Sequence, residues 1–189
     1  MVDVSTYKRI AIISSVGTVE GQSNSYQQKT SASSIADGVT GVFNEVMLSK
    51  GFSVVERSDF DTVLKEQKFQ SDWGGDSTRR AAEIGKALNV PAILIVRVSR
   101  ASWRQRYGYN PSTGTTLPDI DVNTSISAKL VDVERAAIVW QATYAGEQPG
   151  SNADAFQSVI EICARGVANA FPTLDPNAAA LPPQPPAKP

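Results

Sequence analysis

The chain has 189 residues, with 18 basic and 19 acidic side chains, a net charge of −1, one cysteine and no histidine. That length suits one well-buried core, and the near-zero charge argues against bulk attraction to nucleic acid or anionic lipid while leaving room for a local basic patch. A lone cysteine excludes an intrachain disulfide, and the absence of histidine removes histidine triads, histidine bases and the usual zinc sites.

The first four residues, Met1-Val2-Asp3-Val4, lack a basic start and an apolar core, so nothing in them would direct export. Tyr7–Ser14 reads as the first strand, its Ile10-Ala11-Ile12-Ile13 run being apolar on both faces. The polar stretch Ser15–Thr30, with Gly17 and Gly21, reads as a loop. Its end, Lys29-Thr30-Ser31, lacks the glycines of a phosphate-binding loop, so a plain connection is expected. Ser33–Lys50 should be a helix with Ile35, Val39, Val42 and Val46 on one stripe and Gly51 as its left-handed stop. Gly38 and Gly41 within it each cost ~1 kcal/mol of helix propensity relative to alanine. They read either as a place of close packing or as ordinary tolerance.

Ser53–Val98 is the central unit: strand, helix, loop, helix, strand. Ser53-Val54-Val55-Glu56 is β-branched, and Ser58-Asp59-Phe60-Asp61 fits a capping box for a helix carrying Phe60, Val63 and Leu64 inward. Trp73-Gly74-Gly75 breaks that helix. Asp76-Ser77 opens the next, with Ala81, Ile84 and Leu88 facing the core and Asn89 closing it before Pro91. Ala92–Val96 is apolar on both faces, as a covered central strand would be. The longest apolar run, Val90–Val96, is far short of the ~20 residues of a membrane-spanning helix.

From Arg100 the sequence alternates. Arg100, Ser102, Arg104 and Arg106 fall on one face of a strand, and Ala101, Trp103, Gln105, Tyr107 and Tyr109 on the other. Asn110-Pro111-Ser112-Thr113-Gly114 is a turn signal, and Thr115–Leu130 returns with Ile120, Val122, Ile126 and Leu130 in phase, which makes a long hairpin arm. Asp119 and Asp121 share a face, but with no third ligand or histidine near them they read as solvated hairpin charges. Ser127–Val133 and Ala136–Tyr144 read as two strands joined by a turn at Asp132–Arg135, with Trp140 anchoring the sheet. Gly146–Asn152 reads as a short loop. The last helix is expected over Asn152–Phe171, with Phe156, Val159, Ile160, Cys163, Val167 and Ala170 on its inner stripe and Cys163 a structural thiol. Residues 1–172 then form one α/β domain, and the proline-rich segment 173–189 reads as a disordered tail or as a polyproline II ligand for a groove.

Val55-Glu56-Arg57, the amphipathic helix through Glu66-Gln67, Ile84-Gly85-Lys86 and the strand Ala92–Val96 together resemble the signature of the curli secretion channel (CsgG-like) family. That family's relatives by fold include envelope lipoproteins that activate penicillin-binding proteins. A weaker likeness runs from Arg9 to about Phe171, and Arg97 departs from it where a small residue would end the strand. The resemblance implies an exported, often lipidated, non-enzymatic protein of the periplasm or outer membrane, which fits this sequence if a processed leader precedes Met1; the alternative is a cytoplasmic native chain. It brings no catalytic residue, metal ligand or cofactor.

The fold class expected is α/β: a layered sandwich with a mixed sheet of about five strands, three to four helices and one long hairpin arm. Arginine beside tyrosine and tryptophan is the composition of protein-interface anchors, so Arg100, Trp103, Arg104, Arg106, Tyr107 and Tyr109 are the candidate partner-binding residues. The partner would be another protein or a second copy, giving a homo-oligomer. The same composition serves single-stranded nucleic acid, the less favoured partner at this net charge. The plainer alternative is that the aromatics pack on the domain while the arginines pair with Asp119 and Asp121. Two further readings are a subunit of an oligomeric outer-membrane secretion channel and a small-molecule or nucleotide-binding α/β protein. The channel is disfavoured because the return arm opens with Pro118, Asp119 and Asp121, has no aromatic girdle, and no second hairpin follows.

Overall fold

A computed structural model of the chain describes residue 4 and residues 6–22, 32–55, 77–150 and 155–174. The elements run β1 (Arg9–Gln22), α1 (Ala32–Ser49), β2 (Ser53–Val54), α2 (Ser77–Ala87), β3 (Ala92–Asn110), β4 (Thr115–Asp132), β5 (Ala137–Gly150) and α3 (Ala155–Asn169). The sheet order is β2-β1-β3-β4-β5, with the first three strands parallel and the last two joined antiparallel. The expected α/β class, mixed five-stranded sheet and long hairpin are all present. The capping box and the helix from Phe60 lie outside the described residues, as do Lys29–Ser31.

Helices cover the sheet on both faces at its base. On one face α1 and α3 bury Ile35, Val39, Phe43, Met47, Val159 and Ile160 against Ile10, Leu94, Val96, Ile126 and Leu130. On the other, α2 sets Ala81, Ile84 and Leu88 against Ala11, Ile13, Ile93, Ile95 and Val131. Ala92–Val96 is therefore buried on both sides, as its unbroken apolar run requires. Ser14 Oγ hydrogen-bonds Thr40 Oγ1 at 2.5 Å and donates to the Ala36 carbonyl, tying β1 to α1. The α1 stripe is buried as expected, and Gly51 ends the helix at φ 90°. Gly38 lies against the Glu161 and Gln157 side chains of α3, whereas Gly41 faces open space, so close packing accounts for one of the pair.

Four boundaries differ from the sequence reading. Residues 15–22 are not a loop but the upper half of β1, paired with β3 as far as Gln22↔Arg104. Gly17 looks like punctuation in the sequence, yet it stands there because a Cβ would lie 2.7 Å from the Ser99 carbonyl oxygen. The return arm and Ser127–Val133 are one strand, β4, and the turn shifts to residues 133–136 with Ala136 at φ 49°. Gly146–Gly150 is strand as well, because β5 continues along β4 to Ile120↔Gly150; Pro149 is tolerated since β5 is a sheet edge. The last helix is shorter than expected, and Ala170 is exposed while Ala168 takes the buried place.

The chain still touches the core just past residue 172. The Leu174 amide donates to the Lys50 carbonyl at 3.0 Å, and its side chain packs on the core. Lys50 Nζ in turn donates to the carbonyls of Asn169 (3.0 Å) and Phe171 (2.5 Å), capping the negative end of α3. Phe171 stacks edge-on with Trp140 (4.6 Å between centroids) and Phe52 (5.2 Å). Trp140 does anchor the sheet, through that ring.

Candidate protein-contact surface

The hairpin arm begins with a bulge. Val98 pairs with Ile126 and Arg100 with Ser125, so Ser99 is an extra residue in β3. Up to Val98 the even-numbered side chains face α1 and α3; past the bulge Ala101 and Trp103 face them instead. That switch of phase puts Arg100, Ser102 and Arg104 on the opposite side of the sheet, above the area that α2 covers.

On that polar side the strands align in rungs: Thr18, Arg100 and Ser125; Glu20, Ser102, Asn123 and Glu147; Arg104 and Asp121. Glu20, Arg100, Arg104, Asp121, Asn123 and Glu147 line a cavity of about 480 Å³ there. Asp121, expected to be solvated, is buried directly opposite exposed Arg104, where four strands run side by side. Glu20 and Glu147 complete the floor, and both were missed because residues 15–22 and 146–150 read as loops; strand alternation would have found them. The alternation of guanidinium and carboxylate leaves this face with little net charge. No metal-ligating cluster occurs among the described residues.

On the other side the aromatics separate. Trp103, paired with buried Val122, is half-buried and packs on the core. Tyr107 and Tyr109 stand beyond the helices at 70% and 68% exposure. From Arg106↔Asp119 outward, β3 and β4 pair only with each other among the described residues, through Tyr107↔Pro118 and Tyr109↔Thr116 to the turn at 111–114. The Arg106 side chain lies outside the described residues, although the register sets it opposite Asp119. The candidate residues are therefore not one patch. Arg100 and Arg104 are exposed on one face, Tyr107 and Tyr109 on the other, and Trp103 belongs to the domain. Two exposed tyrosines on a two-stranded ribbon present large amphipathic rings with few rotors to immobilise, on an element that is marginally stable unless covered.

Elsewhere the polar groups serve the fold. Burial raises the Cys163 thiol above its ordinary pKa despite a hydrogen bond from Tyr144, which suits a structural thiol. Asp132 accepts from Tyr7 Oη at 2.7 Å and from the Arg135 amide at 2.8 Å. Burial works to raise its pKa, and these donors with the Arg135 charge hold it below the ordinary carboxylate value.

No protein-family profile and no curated protein matches the chain. Several solved structures do. A PelC dodecamer from Paraburkholderia phytofirmans is 15% identical, covering 86% of this chain and 85% of that one at a TM-score of 0.44. Lipoprotein GNA1162 from Neisseria meningitidis is 13% identical over 86% and 99%, at 0.48. The LpoB C-terminal domain from Salmonella enterica is 15% identical over 78% and 88%, at 0.46. At these identities and scores, the reading of the surface rests on this chain's own residues.

Proposed function

We propose that the chain is a non-enzymatic protein of the bacterial cell envelope that acts through protein contact, with Tyr107 and Tyr109 as the anchors of its contact surface. The observation that carries this is their exposure at the end of a ribbon held clear of the helical layer. The envelope setting is drawn from the sequence resemblance. The expected test is direct. Tyr107→Ala/Tyr109→Ala should weaken partner capture or self-association by at least about 30-fold, the effect of losing an anchor of ~2 kcal/mol. Thermal unfolding should stay within ~0.5 kcal/mol, as for surface positions. Association at wild-type strength would end the reading. Trp103 is unsuited to this experiment, since truncating it cuts into the core.

A second reading, a subunit of an outer-membrane secretion channel, gains from the length of β5, which replaces the short loop that had counted against it. It requires detergent-stable rings that conduct ions across a lipid bilayer, and a non-conducting chain removes it. A third, a small-molecule binder, has a cleft of about 680 Å³ between Tyr7, Lys86, Asn89, Asp132 and Arg135 at the base of the sheet. A melting temperature that no nucleotide or metabolite raises would count against it.

A further inference from the structure

We propose that the tyrosine side of the arm binds the proline-rich segment Pro182–Pro186 of a second copy of this chain, joining copies tail to arm. This rests on the reading of Tyr107 and Tyr109 as a contact surface, and it names the ligand.

The chemistry comes first. Leu181-Pro182-Pro183-Gln184-Pro185-Pro186 carries pyrrolidine rings that fix φ near −65°, so little ordering remains to be done before it adopts polyproline II. Pro182 and Pro185, and Pro183 and Pro186, recur at three residues, the period of that helix, a spacing that in polyproline II would span ~9 Å. Such segments dock on aromatic-lined surfaces. Tyr107 and Tyr109 are alternate residues of β3, about 7 Å apart along the strand, both projecting from the same face. From Pro176 to Pro189 the only charged side chain is Lys188, which suits the tyrosine face rather than the mixed-charge face.

Distance decides between the chain's own segment and a neighbour's. Leu174 is held at the base of the sheet by the Lys50 carbonyl, and the Ser53 amide, just past Lys50, donates to the Lys8 carbonyl beside the start of β1. Ile10 of β1 pairs with Ala92, the first residue of β3. From Ala92 to Tyr107 the strand climbs roughly 50 Å. From Leu174 the fully extended chain reaches Pro182 within ~29 Å and Pro186 within ~43 Å. Pro182 and Pro183 of one copy fall well short of their own arm, so the segment cannot lie across both tyrosines of its own chain and the contact is made between copies.

Such a contact is heterologous, and repeating it gives rings or filaments rather than a closed dimer. In sedimentation velocity the wild-type full chain should form species larger than a dimer, insensitive to salt. Two full-length variants, Tyr107→Ala/Tyr109→Ala and Pro182→Ala/Pro183→Ala/Pro185→Ala/Pro186→Ala, should each be monomeric and melt as wild type does. Mixed, they should form a one-to-one heterodimer and nothing larger, because only one arm and one tail remain intact between them. A monomeric wild type, or a mixture that stays monomeric, overturns the proposal. If the tyrosine variant loses association and the proline variant keeps it, the arm is a contact surface with another ligand. If both keep it, the arm reading fails as well.

Discussion

Gly17 and Ser99 show how much a single position decides in this fold. Gly17 sits where β1 passes the bulge in β3, and its absent Cβ would meet a backbone carbonyl that cannot swing aside. Gly17→Ala should therefore destabilise by about 1–3 kcal/mol, the range for overpacking, as read from a denaturant midpoint. The change lies in the middle of a long strand, so a loss below ~0.5 kcal/mol would mean that β1 and β3 separate easily there. Asp132 sets the response to acid. Its folded-state pKa lies below the unfolded value, so its contribution is complete at neutral pH and is lost as pH falls through the folded pKa. Melting temperature should fall on acidification below the ordinary carboxylate range, and Asp132→Asn should flatten that part of the profile.

Among the elements, the junction of α1, α3 and the chain beyond them is held by one cation. Lys50 Nζ caps two carbonyls at the end of α3 while its own carbonyl holds Leu174, and burial lowers its pKa. Lys50→Met keeps the aliphatic stem and leaves those carbonyls unpaired, so it should cost about 1–2 kcal/mol by chemical denaturation. The bidentate Arg165–Glu45 pair between the same helices is solvent-exposed and should contribute less than ~1 kcal/mol. The helices were legible in the sequence because their periodicity and stop signals are local: Ile35 to Val46, Ala81 to Leu88, Gly51 and Asn89 all stand where the pattern puts them. The long strands were less so. The upper parts of β1 and β5 carry glycine, proline and polar residues where, among the described residues, sheet neighbours rather than helices surround them. A pattern scored by apolar alternation stops where helix cover stops. The arm's alternation was visible, but which face would be covered was not, since a bulge leaves no mark in composition.

At the scale of the molecule, helix-covered core and uncovered ribbon are continuous through the same strands. β3 is buried on both sides at Ile93–Val96, on one side at Ala101, and exposed at Tyr107. The arm thus inherits its direction from the most deeply buried strand segment of the fold, which favours a contact surface over a loop that must be ordered on binding. No helix among the described residues is long and apolar enough to cross a membrane. The bulge at Ser99 carries a last consequence. Were Ser99 drawn into the ladder as an ordinary paired residue, the distal ribbon would turn inside out, setting guanidinium groups against greasy helices and rotating both phenols to the far flank. One residue left out of step between Ile95 and Tyr107 thereby governs which chemistry this protein shows to its surroundings.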